Sequence, residues 1–194
     1  MFARTERLLL RPSWPEDAAA IYNGINDEGI VRNLARAPWP YTLEDAESFA
    51  ALQHDLIYPN FMLMKRTNGA PELIGSCGLG EHDGMAELGY WIARPHWGKG
   101  YASEAAKAVI GVAKAIGHKR LLCGHYIDNP ASGRVMIKLG FQPVGATEMR
   151  YSAGRRESAP CVTMEMSLEE SEDSDVSSGL EARMQSCEPQ LRAA

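Results

Sequence analysis

The spacing of apolar residues predicts a regular series of strands and helices over the first 168 residues. Leu8 and Leu10 lie two positions apart, which is the period of a strand with one buried face. Between 102 and 116, apolar residues recur every three or four positions, which is the period of an amphipathic helix. The predicted series is a strand over 5–11, helices over 15–25 and 43–57, strands over 61–66, 73–79 and 86–93, a helix over 102–116, a strand over 120–127, a helix over 130–139, and strands over 141–150 and 160–168.

Residues suited to helix starts mark several borders of these elements. Thr42, with Asp45 three positions later, predicts a capping box for the second helix, and Ser13 is a candidate cap for the first. Asp128 or Asn129 is expected to cap the last helix. Because helices and strands alternate along most of the chain, we expect a mixed sheet with helices on both faces, in the α/β or α+β class.

Charge divides the chain into a body and a tail. At 194 residues the chain is long enough for one domain with a full core, which we place at 1–168. The tail over 169–194 holds seven acidic side chains and two arginines, so it alone carries a charge of −5. This serine- and acid-rich composition predicts flexibility. The alternative is a short helix that docks on the body, since four apolar residues of the tail have helical spacing.

The stretch 86–105 combines a strand, a turn with two glycines and the start of a helix. Pro95 ends the strand, and Gly98 and Gly100 flank Lys99 directly before the helix. The first turn of a helix has amide N–H groups without an intrahelical partner, and glycine lets a phosphate approach the backbone. The stretch is therefore a candidate pyrophosphate site. The alternative is a tight turn that uses glycine only for its backbone geometry, and these residues alone favour neither.

A second motif follows about thirty residues later. Residues 129–141 read Asn-Pro-Ala-Ser-Gly-Arg-Val-Met-Ile-Lys-Leu-Gly-Phe, after Gly-Lys-Gly-Tyr-Ala-Ser-Glu-Ala at 98–105. The two motifs together resemble the GCN5-related N-acetyltransferase (GNAT) superfamily. With Thr-Glu-Arg-Leu-Leu-Leu-Arg-Pro at 5–12, the chain looks like the branch that contains the bacterial ribosomal-protein N-terminal acetyltransferases. The resemblance spans roughly residues 3–168 and preserves the order of the motifs.

The resemblance implies a fold, an activity and an acetyl donor. In this family the sheet is mostly antiparallel, but a central parallel pair of strands splays apart and admits the pantetheine arm of coenzyme A. The implied reaction moves an acetyl group from acetyl-CoA to a primary amine, of a protein N-terminus or a small molecule, by direct attack in a ternary complex. The resemblance assigns to the cofactor Ile92, Ala93, Trp97, Gly98, Lys99, Gly100, Tyr101, Ala102, Ser103, Asn129 and Ser132.

Glu87, in the predicted central strand, is the candidate general base. Charged residues are uncommon in strands because their desolvation is unfavourable. An amine that is protonated at neutral pH must lose a proton to a base, or to a water chain that leads to one. The resembling branch has an acid at this position. The alternative is a solvent-facing residue on a strand with one wet face.

The proton donor for the departing thiolate differs from the commoner family pattern. Many members have a tyrosine seven residues after the asparagine, where this chain has Met136, which has no proton to donate. Ser132, where the resembling branch has a serine, is the candidate donor. Its hydroxyl could instead only satisfy backbone groups in the first helical turn. A second departure is Trp97, at a motif position where the wider superfamily prefers a polar residue.

Two further groups of residues are assigned by family analogy. Backbone N–H groups near Ile92 and Ala93 are the candidate donors to the oxyanion. Trp39 and Tyr41 lie in a segment with two prolines, which predicts an irregular loop, and they are the candidate lining of the acceptor cleft. Otherwise these two are aromatic side chains at the edge of the core.

Composition excludes some other classes of protein. The 18 acids and 18 bases before the tail cancel, so no basic face for nucleic acid is indicated. The N-terminal apolar run is too short for a signal peptide or a membrane span, which predicts a cytoplasmic protein. No metal site or disulfide is expected, because neither the cysteines nor the histidines have ligand spacing (Cys77, Cys123, Cys161, Cys187; His54, His96, His118, His125). The cysteines are therefore expected to be reduced and mostly buried.

Three functional hypotheses follow. The first is an acetyl-CoA-dependent N-acetyltransferase with an amine acceptor, favoured by Glu87 and Ser132. The second is a non-catalytic acyl-CoA-binding module with the same fold, favoured by Met136. A third, a nucleotide-binding regulatory domain, depends on the glycine turn alone. The sequence indicates neither the acceptor nor whether the protein is a monomer or a homodimer.

Overall fold

The computed structural model describes residues 1–53 and 55–169, and within them nine strands form one sheet. The strands are β1 (Ala3–Arg4), β2 (Leu8–Arg11), β3 (Asn60–Lys65), β4 (Glu72–His82), β5 (Met85–Ile92), β6 (Arg120–Tyr126), β7 (Gln142–Pro143), β8 (Glu148–Ser152) and β9 (Glu157–Ser167). The helices are α1 (Ala18–Ile25), α2 (Glu28–Val31), α3 (Leu43–Ala50), α4 (Tyr101–Ala115) and α5 (Pro130–Leu139). The predicted acidic tail lies outside the described residues except for Glu169.

The sheet is mixed and mostly antiparallel, which confirms the predicted fold class. Its strand order is β1-β2-β3-β4-β5-β6-β9-β7, and β8 pairs with β9. The parallel neighbours are β5 and β6, and the other pairs of adjacent strands in the described residues are antiparallel. The chain from β5 through α4 to β6 is therefore a parallel crossover at the centre of the sheet.

The two faces of the sheet carry separate buried clusters, as the expectation of helices on both faces requires. On one face, Leu88 and Ile92 of β5 pack in one cluster with Val109 of α4. On the other, Trp91 packs in one cluster with Ile21 of α1 and with residues of α2 and α3. Because side chains alternate along a strand, even-numbered residues of β5 face α4 and odd-numbered ones face α1 to α3.

Local capping and turn residues explain the borders that were predicted well. The Thr42 hydroxyl accepts the Asp45 amide at 3.1 Å, and the Asp45 carboxylate accepts the Thr42 amide at 2.8 Å, which is the predicted capping box. The side chain of Asn129 accepts the Ser132 amide at the start of α5. Gly140 ends α5 with φ at +99°, in the left-handed region that favours glycine.

Four predicted borders are wrong. Helix α3 ends at Ala50 instead of near 57, because the Asp55 carboxylate accepts the amides of Ile57 and Tyr58 and holds a turn there. Ser13 does not cap α1; its hydroxyl donates to the Ala50 carbonyl at 3.2 Å. The strand over 141–150 is divided into β7 and β8, and Gly145 between them has φ at +69°. The first strand is interrupted at residues 5–7, where Thr5 turns the chain.

Candidate active site

The parallel pair β5 and β6 opens into a gap at the centre of the sheet. The two strands pair at only two positions, Glu87 with Leu122 and Leu88 with Cys123. Both strands continue beyond these pairs without further pairing to each other in the described part of the chain. Backbone groups on the facing edges are then left without a partner strand, which a bound molecule can supply.

The amide of Ile92 faces this gap. The neighbouring Ala93 N–H donates to the Ile74 carbonyl of β4 at 2.8 Å, so Ala93 faces away from β6. Successive residues of a strand direct their backbone groups to alternate sides, so those of Ile92 turn toward the gap. Its carbonyl accepts the indole N–H of Trp97 at 2.6 Å. Of the two candidate oxyanion donors, the structure thus leaves the Ile92 amide for the gap and engages the Ala93 amide elsewhere.

The glycine turn before α4 has the form of an anion-binding site. Gly98 and Gly100 have φ at +72° and +81°, in the left-handed region. The first hydrogen bond of the helical type runs from the Glu104 amide to the Gly100 carbonyl at 3.1 Å. The amides of residues 101–103 therefore have no intrahelical acceptor. The side chains of Lys99 and Tyr101 point elsewhere, since the Lys99 ammonium donates to the Pro95 carbonyl and Tyr101 is buried.

An ion pair from the N-terminal segment fixes this turn, and the sequence analysis missed it. Arg7 Nε donates to the Glu104 carboxylate at 2.7 Å, and Arg7 Nη1 donates to the Lys99 carbonyl at 2.9 Å. The Thr5 hydroxyl and the Arg7 amide donate to the other carboxylate oxygen. Burial alone would raise the pKa of Glu104, but these hydrogen bonds from Thr5 and Arg7 lower it. The negative charge in the first turn of α4 is thus compensated by Arg7.

Glu87 forms a half-buried ion pair where the gap begins. Both of its carboxylate oxygens accept hydrogen bonds from Arg150 of β8, and the bond from Nη2 measures 2.7 Å. This pairing with Glu87 raises the pKa of Arg150. As an odd-numbered residue of β5, Glu87 faces the side of α1 to α3. It is therefore neither solvent-facing nor unpaired, and each of its oxygens already accepts one hydrogen bond.

Ser132 lies on the opposite face of the sheet, beside a tyrosine that the sequence analysis did not single out. The Ser132 hydroxyl is 3.0 Å from the hydroxyl of Tyr90, the even-numbered residue of β5 just beyond the last parallel pair. Burial raises the pKa of Tyr90 to about 12. Met136, one turn farther along α5, is 1% exposed and packs in the core. Asn129 caps the same helix start.

A cavity of about 390 Å³ lies beside α2. Its lining comes from α2, the loop after it and the turn between β8 and β9 (Glu28, Arg32, Trp39, Pro40, Gly154, Arg155, Arg156, Glu157). Trp39 thus lines the cavity as the acceptor hypothesis requires. Tyr41 does not, because it is 6% exposed and packs in the cluster around α1 and α3. That burial raises the pKa of Tyr41 to about 12.

Short helix α2, which the sequence analysis did not predict, crosses the mouth of the gap. At its start, Asp27 accepts two hydrogen bonds from Arg94, which follows β5. At its end, Arg32 donates to Asp128, which follows β6, at 2.9 Å. Gly29 permits the first contact, since a β-carbon there would clash with Arg94. The ends of the two diverging strands are therefore tied to one another through α2.

Several other expectations concern metals, cysteines and membranes. Cys77, Cys123 and Cys161 are free and buried, as expected, whereas Cys187 and His54 lie outside the described residues. Within 1–53 and 55–169, no group of three or more histidine, cysteine or acidic residues is arranged to hold a metal ion. Over the same residues, no helix is long and apolar enough to span a membrane.

Comparison with known proteins identifies relatives of the chain. A profile of the acetyltransferase (GNAT) domain matches residues 7–142. The uncharacterized N-acetyltransferase YoaA of Bacillus subtilis (strain 168) is 33% identical over 155 residues, which cover 73% of this chain and 82% of YoaA. The ribosomal-protein-serine acetyltransferase of Escherichia coli (strain K12) is 33% identical over 85 residues, which cover 42% of this chain and 45% of that protein. A GNAT-family acetyltransferase structure from Bacillus anthracis is similar with a TM-score of 0.74 and 25% identity, over 86% of this chain and 98% of that one.

Proposed function

Because this chain belongs to the GNAT acetyltransferase family, with acetyl-CoA as its acetyl donor, we propose that its amine acceptor enters through the cavity beside α2 and attacks the thioester inside the gap. The observation that carries the proposal is the opening of β5 and β6 at the end of β5 that leads to the glycine turn. Family membership favours this enzyme over a non-catalytic acyl-CoA-binding module.

The donor would bind along the α4 face of the sheet. The pyrophosphate would meet the amides of residues 98–103, where the helix dipole adds partial positive charge. Because the side chains of Lys99 and Tyr101 are engaged elsewhere, these two residues would contribute only their amides. The pantetheine arm would bond the unpaired edge of β5, and the Ile92 amide is the candidate donor to the thioester oxygen. Trp97 holds the Ile92 carbonyl, and Asn129 fixes the start of α5.

The acceptor would approach from the opposite face, past Trp39. Glu87 lies on that face at the start of the gap, and its two carboxylate oxygens are held by Arg150. We therefore propose that the amine gives its proton to a water beside Glu87, and that the Glu87 carboxylate accepts a proton from this water. The cavity is lined by two carboxylates, Glu28 and Glu157, and by three guanidinium groups, Arg32, Arg155 and Arg156, so its charge does not select one class of amine. Protein N-termini and small-molecule amines are both acceptor candidates.

The chemical step then needs one attack and one proton. The neutral amine attacks the carbonyl carbon, the carbon–sulfur bond breaks, and its electron pair stays on sulfur. Ser132 passes its hydroxyl proton to the sulfur, and Glu87 accepts, through the water, the proton that the amine nitrogen loses. Glu87 then releases that proton to solvent, and Ser132 takes one proton from solvent. The products are an N-acetyl amide and coenzyme A, and the number of protons is conserved.

The decisive experiment follows thiol release from acetyl-CoA with a panel of polyamines, amino sugars and peptides with free or blocked N-termini. We expect thiol release with one class of free amine and none with the blocked peptides. Trp39→Ala should raise KM for that amine and leave KM for acetyl-CoA unchanged, because Trp39 lines the cavity and is not part of the glycine turn. Trp14→Ala, at an exposed tryptophan outside the cavity, is the matched control. Equal effects of both variants, or thiol release with blocked peptides, would contradict the proposal.

A further inference from the structure

Tyr90 occupies the first position of β5 that faces α4 and lies beyond the last parallel pair. The pairing of β5 with β6 ends at Leu88, and Leu88, Tyr90 and Ile92 share one face. Tyr90 is therefore the first side chain on the donor face of the gap, the face on which the glycine turn opens. A ring at this position borders the path from that turn to the point where the strands divide.

The Tyr90 hydroxyl contacts the opposite wall of this space. It lies 3.0 Å from Ser132 Oγ, across a sequence separation of 42 residues. Ser132 is in the first turn of α5, and its amide is held by the Asn129 side chain. The hydroxyl pair thus connects β5 to α5 at the edge of the gap. Since either oxygen can donate in such a pair, the direction of the bond depends on which group is the better donor.

A phenol is a stronger acid than an aliphatic hydroxyl and is the better hydrogen-bond donor of the two. Burial raises the pKa of Tyr90 to about 12, so its proton stays in place at neutral pH. If Tyr90 donates to Ser132 Oγ, the Ser132 proton is free to point into the gap. Met136 of α5 lies at the position where many family members have a proton-donating tyrosine, and its buried side chain has no proton to donate.

We propose that Tyr90 is a positioning residue for acetyl transfer, whose hydroxyl donates to Ser132 Oγ and directs the Ser132 proton at the sulfur of the departing coenzyme A. The inference rests on the proposed function. As Ser132 gives its proton to sulfur, negative charge grows on Oγ, and the Tyr90 hydrogen bond stabilises that charge. Tyr90 keeps its own proton throughout. Ser132 is reprotonated from solvent.

Three variants test this assignment in turnover: Tyr90→Phe, Ser132→Ala and the double variant. Tyr90→Phe keeps the ring and removes only the hydroxyl. We expect it to lower kcat about tenfold while KM for acetyl-CoA changes less than about twofold. The double variant should have the kcat of Ser132→Ala alone, because Tyr90 acts only through Ser132. Tyr58→Phe removes a hydroxyl from a half-buried tyrosine stacked on His118, away from the gap, and should leave kcat unchanged.

A second measurement needs no amine, so it separates this inference from the proposed function. The pKa of the coenzyme A thiol bound to the protein is measured from thiolate absorbance against pH. Donors at the sulfur stabilise the thiolate, so the pKa of the bound thiol should be about 1 higher in Tyr90→Phe and in Ser132→Ala than in the wild type. An unchanged value in Tyr90→Phe, or additive kcat losses in the double variant, would overturn the role of Tyr90. Failure of every amine to release thiol would instead overturn the proposed acceptor chemistry, while the thiol titration still decides the role of Tyr90.

Discussion

At the scale of single residues, the pairing of Glu87 with Arg150 determines what this carboxylate can do. A strand glutamate is expected to be either a base or a surface charge, and the structure gives it a third state in which both oxygens are held by a guanidinium. Direct removal of a proton from the amine would require that pair to loosen. Transfer through water requires only that one lone pair of the carboxylate stays accessible beside the arginine.

Glu87→Gln is expected to lower kcat at least about tenfold at neutral pH and to leave coenzyme A affinity unchanged. The deficit should shrink as pH rises, because more of the amine is then already neutral. The matched control is Glu165→Gln, since Glu165 is also a strand glutamate paired with an arginine, Arg120, but it lies in β9, two strands away from β5. Steady-state kinetics between pH 6 and 10 measure both variants. A constant deficit across that range would assign Glu87 to structure instead of proton transfer.

Asp17 illustrates a buried charge that serves stability. Its carboxylate makes two hydrogen bonds to Arg11, each 2.7 Å long. Burial alone would raise the pKa of Asp17, but the hydrogen bonds from Arg11 and from the Trp14 amide outweigh it and lower the pKa below its ordinary value of 3.8. The unfolded chain therefore takes up this proton at higher pH than the folded one does. The stabilisation is present above pH 3.8 and is lost as pH falls through the pKa of the folded state.

Asp17→Asn is expected to lower the free energy of unfolding by about 3 kcal/mol at neutral pH, because it leaves the Arg11 charge buried without its partner. The difference between variant and wild type should narrow as pH falls below 3.8. Urea unfolding at several pH values measures this difference in the free energy of unfolding. Glu47→Gln, at an exposed position of α3, removes the same charge and should have little effect. A difference that stays constant with pH would mean that packing, and not the ion pair, is responsible.

At the scale of elements, the start of α4 combines a local signal with a distant one. Its glycines could be recognised from the sequence, because the left-handed conformation at Gly98 and Gly100 is a local requirement. The ion pair between Arg7 and Glu104 could not be recognised from the sequence, since the two residues are 97 positions apart. The same holds for the contact between Tyr90 and Ser132. Helix α2 was missed for another reason: with four residues it is too short to show a period.

Gly100→Val is expected to remove most of the thermal stabilisation that coenzyme A gives, because a side chain is strained at φ of +81° and lies at the phosphate turn. KM for acetyl-CoA should rise, whereas KM for S-acetyl-pantetheine, which lacks the pyrophosphate, should not. Gly111→Ala, at an exposed position in the middle of α4 where a β-carbon meets no atom within 4 Å, is the matched control. A full thermal shift in Gly100→Val would show that the pyrophosphate binds elsewhere.

At the scale of the whole molecule, the described core extends to Leu168, the last residue of the predicted body. Leu168 is 6% exposed, and its amide donates to the Lys119 carbonyl at 2.8 Å, which joins the end of β9 to the start of β6. Charge separation along the sequence predicted a boundary at this point, because an acidic, serine-rich segment has little apolar surface to bury. The order and pairing of the strands, by contrast, depend on contacts between distant segments and required the structure.

A chain shortened to residues 1–169 is expected to keep the melting temperature of the full chain within about 2 °C, which corresponds to less than about 1 kcal/mol, and to keep its kcat. Calorimetry and thiol-release kinetics on the two chains make the comparison. A clear loss of melting temperature would support the alternative in which part of the tail docks on the body. A loss of kcat alone would place the tail near the acceptor cavity.

Helix α2 makes the mouth of the gap respond to the solvent. Two ion pairs hold it, Asp27 with Arg94 and Arg32 with Asp128. The side chain of Asp27 is 28% exposed, and the other three side chains are 44% to 55% exposed. Ion pairs of this kind weaken as salt screens them, while the hydrophobic clusters on either side of the sheet do not. Added salt is therefore expected to weaken the link between the ends of β5 and β6, while the packed clusters on the two faces of the sheet stay intact.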